Sequence, residues 1–84
     1  MGLKKTFKEI PKNSTEKIVV SLSEWNDLEY VDIRLWYDAS NGKNTEWKPG
    51  KKGITIKLEY LKDLKEGIDL AISELLGEDE GENK

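Results

Sequence analysis

The sequence predicts an α+β domain in which the strands come first and one long helix comes last. Three observations carry this expectation. Residues 18–25 and 30–37 alternate apolar and polar side chains with the period of a strand. Asn41-Gly42 follows the second run and supplies two residues that tolerate positive φ, the mark of a tight hairpin turn. From Leu58 onward the apolar residues recur every three or four positions, as on one face of a helix. Strands grouped ahead of a single helix argue against a parallel βαβ arrangement.

Taken in order, residues 1–6 are expected to be a flexible arm ahead of a domain spanning 7–76. Phe7 to Ile10 read as a short edge strand closed by Pro11, and Lys12 to Glu16 as a polar turn. In the next strand Ile18, Val20 and Leu22 point one way, to the core, and Val19, Ser21, Ser23 and Trp25 point the other. In the strand at 30–37, Val31, Ile33 and Leu35 form the apolar side, with Tyr30, Asp32, Arg34 and Trp36 opposite. A return strand is expected at Asn44 to Lys48, broken by Pro49-Gly50, and a last strand after Gly53 turns Ile54 and Ile56 inward. Leu61, Leu64, Ile68, Ala71, Ile72 and Leu75 make the helical stripe, and Gly77 takes the C′ position that ends it. Lys57 is a poor N-cap for that helix. Gly67 lies in line with Leu64 and Ala71, where either a close helix crossing or plain surface tolerance accounts for it. Residues 77–84 carry Glu78, Asp79, Glu80 and Glu82 against Lys84 and are expected to be a disordered acidic tail.

Composition narrows the function. At 84 residues the chain is one domain, and a core built by one chain of that size is marginal. It has no cysteine to cross-link it and no histidine, the commonest general base and metal ligand. A homodimer is therefore expected, with no cofactor and no metal. An enzyme is the least favoured class, since Asp27, Glu29 and Asp32 read as solvated carboxylates on a surface strand or turn. No apolar run reaches the roughly 20 residues a membrane span needs, so the expected location is the cytoplasm or nucleoid, or the nucleus in a eukaryote. Met1-Gly2-Leu3-Lys4-Lys5-Thr6 fits the loose myristoylation pattern and Asn13-Ser14-Thr15 is a glycosylation sequon; both patterns are short and common.

The formal charge of −3 is unevenly spread. Without residues 77–84 the body balances 13 basic against 13 acidic residues, and Lys43, Lys48, Lys51, Lys52 and Lys57 oppose only Glu46 across 43–57. Trp25, Arg34 and Trp36 share the non-core sheet face on the strand parity above. Rings interleaved with cations suit an unpaired nucleic-acid strand, whose bases stack at roughly 1–3 kcal/mol each while lysines follow the phosphates. Trp25, Trp36 and Trp47 equally suit packing beneath the helix or in a dimer interface, because a one-residue slip turns every side chain over. Lys48-Pro49-Gly50-Lys51-Lys52-Gly53 is a tight loop with three projecting lysines; it lacks the spacing of a nucleotide-binding P-loop.

In combination, VDIRLWY (31–37), WKPGKKGITI (47–56) and LKDLKEGI (61–68) resemble the C-terminal domain of the transcriptional positive cofactor four family, which has bacterial and phage members. The resemblance covers roughly residues 17–75. It implies a curved four-stranded antiparallel sheet with a C-terminal helix, dimerisation through the helices (Leu64, Gly67, Ile68, Ala71, Leu75), and sequence-independent binding of single-stranded DNA across the sheet face. By matching positions, Trp25 stands for a stacking phenylalanine and Arg34 for the arginine of D-I-R. Lys48, Lys51 and Lys52 stand for the basic residues of the K-P-G loop. Tyr37 aligns with the second stacking aromatic, whereas strand parity selects Trp36, so both belong to the candidate site with Lys43 and Trp47. Ser23, Asn26, Asp27 and Glu29 depart from the basic surroundings that family members often give the first aromatic, and the loop after Arg34 is longer. RNA is a possible second ligand. The competing reading is a dimeric protein-interaction module that uses the sheet face or the acidic tail.

Overall fold

The structure, a computed structural model, describes residues 2–40 and 44–77; Asn41-Gly42, Lys43 and the acidic segment 78–84 lie outside the described residues. Four strands pair antiparallel in chain order: β1 (Gly2–Asn13), β2 (Glu16–Trp25), β3 (Leu28–Asp38) and β4 (Trp47–Lys57). A single 3-10 turn (Leu58–Tyr60) then leads into the helix α1 (Leu61–Leu76). This is the expected ββββα order on an open, curved sheet.

Several boundaries differ from the sequence expectation. Residues 2–6 are not an arm; they are the first half of β1, which runs through Pro11 to Asn13. As an edge strand, β1 tolerates a residue without an N–H. Register shifts at Leu3/Lys5, Thr6/Lys8 and Pro11/Asn13 break its alternation, which is why no period-2 pattern marks it. Lys4 fastens the strand by reaching Glu29 at 3.1 Å and Glu24 at 3.6 Å. Pro49-Gly50 does not end a strand either. β4 is the other edge and passes through it, with a shift in register between Arg34 and Trp36 of β3. A Cβ on Gly50 would lie 2.8 Å from the Leu35 carbonyl oxygen, so this close approach needs glycine.

β2 and β3 are joined by Asn26 and Asp27, both at positive φ (55° and 65°), the geometry of a two-residue hairpin turn. At the opposite end of the sheet, Asn13 accepts the Thr15 N–H at 2.9 Å and tightens the β1–β2 turn. Asp38 Oδ1 accepts the N–H groups of Ser40 and Glu46 at 2.9 and 3.0 Å, which pins both ends of the β3–β4 connection.

The helix begins at Leu61, one turn later than its apolar spacing, because Leu58–Tyr60 winds more tightly and neither start has a side-chain cap. Gly77 ends it in the left-handed conformation (φ 72°), as expected. No helical residue is buried, and Leu75 is 77 % exposed. The expected core side of β2 is likewise only half-covered: Ile18, Val20 and Leu22 are partly exposed, as are Ile33 and Leu35 of β3. Only Val31 and Ile56 on that face are buried. The buried residues of β2 are instead Val19, Ser21 and Ser23 on the other side, where Ser21 and Ser23 line a recess of the sheet. Full burial of one large aliphatic side chain stabilises by roughly 1.5–3 kcal/mol, so a single chain leaves much of its apolar face unused.

Candidate nucleic-acid interface

In-register pairs of antiparallel strands share a face, and this defines the hollowed side of the sheet. Lys17 pairs with Trp36, Val19 with Arg34, Ser21 with Asp32, Ser23 with Tyr30 and Trp25 with Leu28. From β4, Trp47, Pro49, Gly53, Thr55 and Lys57 register with Asp38, Trp36, Arg34, Asp32 and Tyr30. The alternation that placed Trp25, Arg34 and Trp36 on one face therefore holds.

At the centre, Arg34 is clamped. Its Nε donates to Asp32 Oδ2 at 3.0 Å and its NH2 to Asp32 Oδ1 at 2.9 Å, a bidentate pair. Thr55 donates its hydroxyl to Asp32 Oδ1 at 3.1 Å. NH1 of Arg34 donates to the Gly50 carbonyl at 3.1 Å and reaches that of Lys51 at 3.4 Å. The hydrogen bonds to Asp32 hold the guanidinium pKa above its ordinary value, against a smaller opposing effect of burial. Asp32 is 6 % exposed, so it is not the solvated surface carboxylate expected from sequence; its charge is balanced by Arg34. Arg34 thus ties the centre of the sheet to the lysine loop and fixes where Lys48, Lys51 and Lys52 leave the backbone. All three lysines are exposed, and Lys48 registers with Tyr37, at the opposite strand parity to Trp36. Lys48 lies 3.7 Å from Glu46, while Lys51 and Lys52 make no ion pair with a described residue.

Trp36 and Trp47 are half-buried beside this loop. Lys17 Nζ sits 4.5 Å from the Trp47 ring centroid and 3.0 Å from Glu9, placing a cation over an aromatic face. Tyr37 is exposed at the same end, at the opposite strand parity to Trp36. Trp25 is not part of this group. It is 55 % exposed at the far end of β2, opposite Leu28, six residues or roughly 20 Å along β3 from Arg34. Its hollow is shared with Tyr30, Thr55 and Lys57, and Glu24, Asp27, Glu29 and Glu59 line the adjoining one.

Lys17, Ser21, Ser23 and Asp32 belong to this face but were not among the sequence candidates. The signal for them was the alternation of β2 itself, where small hydroxyl side chains sit at the positions facing away from the aliphatic side. Of the residues expected at a dimer contact, Leu64 is half-buried and Gly67, Ile68, Ala71 and Leu75 are exposed in the single chain. A Cβ on Gly67 would meet nothing within 4 Å, so packing within one chain does not require that glycine. Among the described residues no helix is long and apolar enough to cross a membrane, and no cluster of metal-ligating side chains is found.

The chain was compared with known proteins on this footing. A solved PC4 homologue from Burkholderia pseudomallei superposes with a TM-score of 0.73 at 30 % identity, over 83 % of this chain and 89 % of that one. The bacteriophage T5 homologue of the eukaryotic transcription coactivator PC4, implicated in recombination-dependent DNA replication, superposes with a TM-score of 0.64 at 27 % identity, over 80 % and 77 %. No curated protein matched the sequence. The family model described as Transcriptional Coactivator p15 (PC4) matches residues 12–67, two thirds of the chain, and the protein belongs to that family.

Proposed function

We propose that the protein is a homodimer that binds single-stranded DNA, without an overall sequence requirement, along the hollowed face of each sheet. The observation that carries this reading is the grouping of Trp36, Trp47 and Lys17 at one end of that face, beside the Arg34-braced loop from which the lysines project. Rings that stack on bases and cations that follow phosphates recognise an unpaired strand, whereas a duplex hides its base faces. The half-covered aliphatic face and the helix with no buried residue support a second copy as the missing cover. The T5 homologue's part in DNA replication fits such an activity.

The test is fluorescence anisotropy of a labelled single-stranded oligonucleotide, challenged with unlabelled duplex, over a salt series. Binding that duplex fails to displace is expected. With about five phosphate contacts, log affinity falls by roughly 3.5 per decade of salt. Flat salt dependence or equal competition by duplex would overturn the reading. For the assembly, sedimentation should give a dimer, and Ile68→Asp, which puts a charge on the exposed helix stripe, should shift it to monomer.

A further inference from the structure

Asp32 is a buried carboxylate in the middle of a face that is to hold a polyanion, where its charge by itself counts against binding. We infer that Asp32 nonetheless strengthens DNA binding, as a positioning residue: it holds Arg34, and Arg34 holds the lysine loop in the shape that meets phosphates. The inference rests on the single-strand reading above and concerns how that site is built.

The loop needs such a brace. Between the register pairs Trp36–Pro49 and Arg34–Gly53, the residues Gly50, Lys51 and Lys52 stand against Leu35 alone. Three residues opposite one cannot continue the ladder, so regular pairing does not fix where their side chains leave the backbone. Arg34 supplies what the ladder lacks. Its NH1 donates to the Gly50 carbonyl at 3.1 Å and reaches that of Lys51 at 3.4 Å. Two glycines let the strands come close enough for this. A Cβ on Gly53 would lie 2.9 Å from both Cβ and Cγ of Arg34, and one on Gly50 would crowd the Leu35 carbonyl.

Arg34 can brace the loop only while its own long side chain is held. Asp32 does this by accepting from Nε at 3.0 Å and NH2 at 2.9 Å, a fork that an ammonium cannot reproduce. Thr55, opposite Asp32 in register, holds the carboxylate in turn through its hydroxyl at 3.1 Å. All three guanidinium nitrogens are thus engaged within the chain, and the Asp32 charge is spent on Arg34 before it can repel a phosphate.

The test is Asp32→Asn, measured by anisotropy of a labelled oligothymidylate over a salt series. Asparagine keeps the size of the side chain and turns one acceptor oxygen into a donor. Electrostatics alone predicts tighter binding, since a negative charge is gone and Arg34 is released toward the phosphates. Positioning predicts the opposite sign: affinity lower by on the order of tenfold at low salt, and a salt slope shallower by about 1 although no lysine has been removed. In a chain already carrying Lys48→Ala, Lys51→Ala and Lys52→Ala, Asp32→Asn should cost less than about twofold, because the loop has nothing left to position. If Asp32→Asn does not fold, Arg34→Lys, which keeps the charge and loses the fork, should show the same weakening. Unchanged or tighter binding by a folded variant, or an equal loss with and without the three lysines, would overturn the inference. A wild type that fails to bind the oligonucleotide would overturn the single-strand reading itself.

Discussion

The two ends of the sheet carry opposite electrostatics on the same pair of central strands. Around the β1–β2 turn and the lysine loop, each carboxylate is engaged: Glu9 by Lys17, Glu16 by Lys12, Glu46 by Lys48, and Asp38 by the backbone of its own loop. Lys51 and Lys52 form no ion pair with a described residue, and Lys52 adds to the Asn13 hydrogen bond and the Lys12 charge that lower the Glu16 pKa. Around the β2–β3 turn the balance reverses. Glu24 and Glu29 sit directly opposite each other and share the single ammonium of Lys4, with Asp27 and Glu59 nearby and Trp25 at the margin. A net charge of −3 hides this division. Local field governs where a polyanion is tolerated, so phosphates should be held at the lysine end while the Trp25 end contributes a ring with Lys57 beside it amid carboxylates.

The largest effect should come from the lysine end. Replacing Lys48, Lys51 and Lys52 together by alanine should reduce the salt slope by about 2, with the affinity loss greatest at low salt. An unchanged slope would show that these lysines face solvent only.

Next in size is Trp25→Ala. Loss of one stacking ring should weaken binding by roughly 1–3 kcal/mol, and the salt slope should stay the same because no phosphate contact is removed. No loss at all would confine the strand to the other end.

A smaller gain is expected from the acidic end. Asp27→Asn with Glu59→Gln leaves the Lys4 bridge intact and removes two negative charges. Affinity should rise a few-fold at low salt and the gain should vanish near 1 M, where the screening length falls to about 3 Å.

How far this division was legible in the sequence depended on period. β2 and β3 alternate cleanly, so the shared face of Trp25, Arg34 and Trp36 followed from parity alone. β1 did not, because its bulges interrupt the alternation and Lys4 finds its partners, Glu24 and Glu29, only across the sheet. The burial of Asp32 was hidden for a related reason: a charge is read as exposed until its partner is seen, and Arg34 lies two residues away on the same face. Pro49-Gly50 looked like a strand end, although an edge strand can carry it as a bulge. The half-covered aliphatic face could not be read from one chain's pattern, since the same alternation describes a face covered by its own helix and one that awaits a second copy.

The smallest effect concerns the loop that presents the lysines. Hydrogen bonds from the Glu46 and Ser40 backbone N–H groups hold the Asp38 carboxyl below the ordinary aspartate range. A depressed carboxylate stabilises the folded loop above the unfolded-state pKa, and that contribution disappears as pH falls through the lower folded value. Hydrogen exchange at the Ser40 and Glu46 amides should therefore show more frequent opening, after correction for intrinsic rates, in acid or in Asp38→Ala at neutral pH. The Val19 amide should not change in the same way.

The most direct test of the account follows the three indole N–H resonances while a single-stranded oligonucleotide is added. Trp36 and Trp47 should shift first and furthest and Trp25 less, while methyl signals of Ile18, Val20 and Leu22 on the opposite face stay in place. Shifts concentrated on those methyl groups, with the indoles unmoved, would contradict the claim that DNA occupies the hollowed face.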